Sequence, residues 1–200
     1  HLNVRRQRQM CIRDRAGQLP LTEPMDQEQI ERIDAASLDI LEEVGVVFRD
    51  DIALQDWRKA GADVRGERVH LDRGLVKSLM KTIPSEITLH ARNPEKTVAL
   101  GGRQSIFIPM TGAPYLRDLE DVRRAPTLDD LATFHKLAHM LPAMHSSAHH
   151  IVEPMDHPIS HRHLRITHSS MLYSDKTFMG MTTSGQNAED VLDMCAILFG

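Results

Sequence analysis

Seven of the chain's twelve histidines fall between His145 and His168, and two carboxylates, Glu153 and Asp156, sit among them. Imidazoles at short spacing serve as metal ligands or proton carriers. A carboxylate pair does acid–base work, binds metal or holds a cation. The spacing weighs against zinc, because there is no His-Glu-x-x-His and no cysteine pair. His145 and His149 would share one face of a strand, whereas His161 and His168 would lie on a helix flank. One metal would have to collect ligands across separate elements. We therefore expect no bound metal, and read the histidines as surface, loop and supporting residues. A metal-dependent lyase or hydrolase built on the His145–His168 cluster is the rival reading. Glu153 and Asp156 are candidates for substrate binding. Their plainer alternatives are Asp156 as the cap of a helix starting near Ile159, and Glu153 as the ion-pair partner of Arg162 or Arg165.

Three more residues belong with them. Thr182 and Thr183 are small and polar and precede Ser184-Gly185. They line a pocket, or offer backbone N–H groups to an anion at a helix start, or simply form a loop before a helix cap. Tyr115 offers a π face to a cationic head group, or is a core or rim tyrosine. The glycines at 101, 102 and 112 match no phosphate-binding motif, and neither a Gly-x-Ser-x-Gly elbow nor a catalytic cysteine setting is present.

The elements that must position these residues can be read from periodicity. Asp26 with Gln29 opens a helix carrying Ile30, Ile33, Leu41 and Val44, which Gly45 ends. Asp50 or Asp51 opens a second helix (Ile52, Trp57, Ala60) closed by Gly61. Val64 to Leu71 reads as a hairpin around Gly66. Asp72 caps a third helix (Leu75, Val76, Leu79, Met80), ended by Pro84. From residue 86 the pattern alternates: extended runs at 87–91, 97–100 and 105–109, with a turn at Gly101-Gly102. Thr127 with Asp130 caps a helix whose apolar face is Leu128, Leu131, Phe134, Ala138 and Leu141. An alternating strand, 144–152, follows. The helix 159–173 turns Leu164, Met171 and Leu172 inward, and a β run covers 176–181. Asn187 caps the last helix, with Val191, Leu192, Cys195 and Leu198 on its buried side.

Strands about 30 residues apart with helices between them imply parallel pairing through right-handed crossovers. The expected class is α/β: an incomplete TIM (β/α)8 barrel of about three β/α units, preceded by an N-terminal helical cap with short hairpins. We expect the cap over 16–103 and the first part of the barrel over 104–200. Glu153, Asp156, Thr182 and Thr183 then fall at carboxy-terminal strand ends, where barrels place their sites.

Bulk properties narrow the classes. The formal charge is −4, but residues 1–15 hold five arginines and one aspartate, so the remainder is more acidic still. An acidic body disfavours non-specific nucleic-acid binding. The sequence holds no apolar run long enough for a membrane span and opens on no signal-peptide pattern. Cys11 and Cys195 have no metal or redox spacing, which points to a reduced, cytoplasmic setting. The string Arg8-Gln9-Met10-Cys11-Ile12-Arg13-Asp14-Arg15 resembles translated adaptor read-through. We set 1–15 aside as a non-native segment, the alternative being a basic arm for an acidic partner.

Taken together, the segments resemble the trimethylamine methyltransferase family. The matching stretches are Leu38 to Val46 (LDILEEVGV), Lys59-Ala60-Gly61-Ala62, Gly112-Ala113-Pro114-Tyr115, Arg124 to Asp130 (RAPTLDD), Val152-Glu153-Pro154-Met155-Asp156, and Lys176 before an apolar run. The resemblance covers about 18–200. It implies a TIM-barrel enzyme that moves a methyl group from a methylated amine to the cob(I)alamin of a separate corrinoid protein. Some members take trimethylamine and contain pyrrolysine, whereas others take quaternary amines such as glycine betaine. The resemblance puts the distinguishing position, and the catalytic residues, beyond Gly200. The chain is expected to be an N-terminal fragment, inactive alone, that binds no cofactor itself and receives the corrinoid from its partner; a homo-oligomer is compatible. A non-catalytic barrel scaffold is the third reading. A quaternary ammonium has no N–H to donate, so carboxylate charge, π faces and shape must hold it. Tyr115, Glu153 and Asp156 suit one wall of such a pocket.

Overall fold

The computed structural model describes residues 22–102 and 104–200, and the segment 1–15 set aside above lies outside them. The chain divides into two compact units, Leu19–Ser85 and Glu86–Gly200.

In the unit 19–85, side chains at the element ends satisfy the free amides of each helix. The Asp26 carboxylate accepts from the Gln29 amide at 2.8 Å, and the Gln29 side chain accepts from the Asp26 amide at 3.0 Å. This reciprocal cap opens α1 (Gln27–Asp39), which runs into one π turn, Ile40–Val44. Gly45 then has φ 70°, and a β-carbon there would lie 2.6 Å from the Val69 carbonyl oxygen, so conformation and space both require glycine. After β1 (Val46–Val47), Asp50 caps α2 (Asp51–Ala60), which closes on left-handed Gly61. β2 (Asp63–Arg65) and β3 (Arg68–His70) form a hairpin, and β1 pairs with β3 to give the antiparallel order β1-β3-β2. Asp72 caps α3 (Arg73–Met80). Leu54, Val69 and Leu71 are the buried core, with Phe48 and Trp57 stacked obliquely at 5.6 Å beside them. α1 adds little to this core: Ile30 and Ile33 are exposed and only Leu38 is buried.

The unit 86–200 begins with an antiparallel hairpin, β4 (Glu86–Leu89) and β5 (Val98–Gly101), around a 3₁₀ turn at Pro94–Lys96. A second small hairpin, β6 (Leu116–Arg117) and β7 (Arg123–Arg124), leads to α4 (Leu128–Met140). α5 (Ile159–Tyr173) packs on α4, and α6 (Gly185–Phe199) packs on α5. Leu131, Ala138, Ala148, Ile151, Val152 and Ile166 form the core, flanked by Ala113, Leu128, Phe134 and Met181.

Three extended segments lie side by side in this unit. Phe107 and Gly112-Ala113 bond to His145 and His150-Ile151, with isolated parallel bridges Ala113↔Val152 and Ser146↔Thr177. Ser147 N–H donates to Thr177 O and Met179 N–H to Ala148 O. The architecture among the described residues is thus mixed α/β with six α-helices and small sheets, without a closed barrel.

Regular strands expected at 105–109, 144–152 and 176–181 are not formed. Ala148 adopts φ 56°, which breaks the extended run. Side chains also take ladder positions: Ser146 and Ser147 hydroxyls both donate to Thr177 O, and the Ser146 hydroxyl accepts from the Ala148 amide. Three expected inward residues are exposed, Leu141 at 48%, Leu172 at 54% and Leu192 at 67%. α5 instead buries polar groups, His163, Thr167, Ser169 and Ser170, which periodicity alone did not single out. Ser184, not Asn187, caps α6, accepting from the Asn187 amide at 3.2 Å. No described helix is long and apolar enough to cross a membrane.

Candidate functional site

The segments bearing Tyr115, Glu153 and Asp156 meet near the start of α4. Thr127 and Asp130 form a reciprocal cap there, and both Asp130 oxygens also accept from Arg124, at 2.6 and 2.8 Å. The Arg124 hydrogen bonds hold the Asp130 carboxyl well below the usual carboxylate range, burial opposing and Thr127 assisting. The loop after the 145–153 segment docks onto the same place, Met155 N–H donating to Pro126 O at 2.9 Å. Asp156 is thereby set against the free amides of α4, and its Oδ1 accepts from Leu128 N–H at 3.0 Å. So Asp156 caps α4 rather than the helix that follows it in sequence. α5 begins after Pro158 with no side-chain cap.

Glu153 lies one residue beyond the Ala113↔Val152 bridge, its amide donating to Ala113 O at 2.9 Å. Its Oε1 accepts from Arg162 Nη1 at 2.7 Å, while Arg162 Nη2 donates to His157 O. Oε2 faces His150 Nε2 at 3.9 Å and accepts no hydrogen bond among the described residues. Opposite stands Gly112 with φ 78°; a β-carbon there would come within 3.3 Å of His150 Nε2. The ring of His149 meets that of His150 at 3.9 Å between centroids. Burial first, then the neighbouring His150, pushes the His149 imidazole down to about 4, against the opposing pull of Glu153.

Tyr115 is half exposed, and the Arg123 guanidinium lies over its ring at 4.1 Å. Thr182 and Thr183 are exposed in the loop before α6, where the Thr183 hydroxyl accepts from Asn187 Nδ2 at 2.8 Å. Hydrogen bonds thus link the segments bearing Tyr115, Glu153 and Asp156, whereas neither threonine bonds to any of the three.

Three further histidines of this unit are engaged separately. His135 is fully buried; its Nε2 donates to His149 O at 2.7 Å, so Nδ1 accepts from the Ser169 hydroxyl at 2.8 Å. Burial lowers its pKa. His145 Nδ1 accepts from Phe107 N–H, and His163 Nε2 pairs with Asp190 at 2.7 Å. Among the described residues, no three His, Cys, Asp or Glu side chains converge as a metal would require. A cavity of about 390 Å³ lies elsewhere, between α5 and α6, lined by Arg92, His168, Met171, Leu172, Met194 and Ile197 among others.

Lys176, named above only within the resemblance, is a buried cation whose role sequence reasoning did not find. Lys176, 6% exposed, donates to the carbonyls of Ala138 at 2.6 Å, Leu141 at 2.8 Å and Met144 at 2.7 Å. It caps the C-terminus of α4 and ties it to the next extended segment. A lone lysine beside an apolar run carries no local signal of this role.

The family model for trimethylamine methyltransferase (MTTB) matches residues 3–200. The chain belongs to that family. A glycine betaine methyltransferase of Desulfitobacterium hafniense (strain Y51) is 42% identical over 182 residues, 91% of this chain and 38% of that protein. A trimethylamine methyltransferase MttB of Desulfitobacterium hafniense (strain DSM 10664 / DCB-2) is 24% identical over 86% of the chain and 35% of its own length. A proline betaine:corrinoid methyltransferase of Eubacterium limosum is 32% identical over 54% of the chain and 22% of its own length. The chain therefore spans well under half the length of these curated relatives. Within this trimethylamine methyltransferase family member, the α4 start carries the quoted motifs Arg124 to Asp130 and Val152 to Asp156, and the geometry above explains their pairing. Arg124 holds Asp130, and Asp156 reaches back to Leu128.

Proposed function

We propose that the intact protein transfers a methyl group from a methylated amine, a quaternary amine of the betaine class foremost, to the cob(I)alamin of a separate corrinoid protein. The observation that carries this reading is the 42% identity to a glycine betaine methyltransferase over 91% of the chain. The partner's corrinoid supplies the nucleophile. The C–N bond breaks, and the nitrogen keeps the electron pair as a neutral tertiary amine, so no acid is needed at that atom. The protein's work is then to hold the cation in line and exclude water.

The chain's own residues suit one wall of that pocket. Glu153 Oε2, which faces His150 Nε2 at 3.9 Å and accepts no hydrogen bond among the described residues, offers a lone pair beside the charge-balanced Arg162 contact. Asp156 adds negative potential at the same end, and Tyr115 adds a π face. Thr182 and Thr183 line the neighbouring loop. We read 16–103 as a cap and 104–200 as the opening part of a TIM barrel; the three side-by-side segments with parallel bridges support that reading. The catalytic residues belong to the length that the relatives have beyond this chain, and the site is cytoplasmic.

The test uses the intact protein with its cognate corrinoid protein, reduced to cob(I)alamin. Adding glycine betaine is expected to consume the cob(I)alamin absorption and release dimethylglycine. A stable cob(I)alamin spectrum with glycine betaine, proline betaine and trimethylamine alike would overturn the reading.

A further inference from the structure

The β6–β7 hairpin presents three arginines, and they are not equivalent. Arg117 Nη1 is taken by Asp121 at 2.8 Å. Arg124 grips both oxygens of Asp130 and lies 3.8 Å from Asp118. Arg123 alone has no acidic partner and no hydrogen bond among the described residues; its guanidinium lies over Tyr115 at 4.1 Å. Stacking on a ring uses the face of a guanidinium and leaves its N–H edge free. That edge is a fork matched to a carboxylate.

Its place in the fold gives the fork a use. Tyr115 is two residues past Ala113, which bridges Val152, and Glu153 follows directly. A cationic fork therefore belongs to the same strand-end region as the Glu153 carboxylate, whose Oε2 accepts no hydrogen bond among the described residues and faces His150 at 3.9 Å. Those are complementary positions for a zwitterion. We infer that Arg123, placed over the Tyr115 ring, is the carboxylate-recognising residue of this site, and that it selects amines bearing both a quaternary nitrogen and a carboxylate over simple methylated amines. This assignment rests on the functional reading above and deepens it.

The test is calorimetric titration of the intact protein with two probes, glycine betaine and tetramethylammonium, which share the methylated nitrogen but differ in the carboxylate. Arg123→Leu is expected to weaken betaine binding by about 10- to 100-fold, the range of one charge-assisted bidentate contact, and tetramethylammonium binding by less than about twofold. Arg123→Lys keeps the charge without the fork and should fall between. If Arg123→Leu does not fold, Arg123→Lys still makes the comparison. Equal effects on the two probes, unchanged betaine affinity in both variants, or a wild-type protein that binds betaine no better than tetramethylammonium would overturn the assignment. The functional reading fails separately, on absence of methyl transfer to the corrinoid. Transfer from betaine at wild-type affinity in the Arg123 variants sinks this assignment alone.

Discussion

Arg162 Nη1 lies 2.7 Å from Glu153 Oε1, with the two side chains only 12% and 19% exposed. The acid that stands out most in the sequence is therefore half of a largely buried ion pair, and its remaining capacity is one oxygen. Removing the guanidinium leaves the carboxylate, in a poorly solvated place, with only His150 at 3.9 Å beside it. Arg162→Met is expected to cost about 3 kcal/mol, the lower end for breaking a buried pair. A urea denaturation midpoint that does not move would contradict this.

Lys176 holds three carbonyls with one ammonium. Its replacement strands buried acceptors at the end of α4 as well as removing a favourable cation from the helix C-terminus. Lys176→Met should lower stability by at least about 3 kcal/mol. Lys176→Arg should not restore it, because three carbonyls converge on one nitrogen and a planar fork cannot reproduce that. Full rescue by arginine in a thermal melt is the outcome that counts against this geometry.

What could be read from the sequence was local. Asp26 with Gln29, Thr127 with Asp130, Asp50, Asp72, Gly45 and Gly61 each act within a few residues, and the observed caps match. The α/β alternation was legible from local patterns, and the parallel direction of the extended segments from the spacing between them. Asp156 shows where this stops. Its role as a cap was legible, but its partner Leu128 is 28 positions away, so proximity in sequence pointed to the wrong helix. The roles of Lys176 and Arg123 were not legible, because their partners are fixed by folding. The interruption at Ala148 escaped because alternation records side-chain polarity, not the hydroxyl–backbone bonds of Ser146 and Ser147.

Burial separates two leucines of α4 in the way that helical spacing predicts, Leu131 on the expected apolar face and Leu137 off it. Leu131 is 0% exposed at the centre of the core, whereas Leu137 is 51% exposed. Leu131→Ala is expected to cost about 2–5 kcal/mol and Leu137→Ala no more than about 0.5 kcal/mol. Parallel chemical melts of the two variants measure the difference directly. Comparable losses at both positions would mean that α4 presents another face to the core.

The burial of His149, with His150 beside it, makes stability depend on pH, with a definite sign. His149 is pushed from 6.5 to about 4 in the folded protein, so between those values the unfolded chain binds a proton that the folded chain refuses. Stability then rises with pH across that window and is fully present above about pH 6.5, the ordinary histidine value. It is lost as pH falls toward 4, and below that both states are protonated and the dependence from this residue ends. His135, lowered by burial, acts in the same direction, and Glu153 opposes. His149→Gln removes one titrating group without charging the site. The melting temperature of the variant should fall less steeply than that of the wild type between pH 6.5 and 4, keeping the part due to His135. Equal slopes for the two proteins would show that the folded imidazole takes up its proton freely, and that His149 is solvated rather than enclosed.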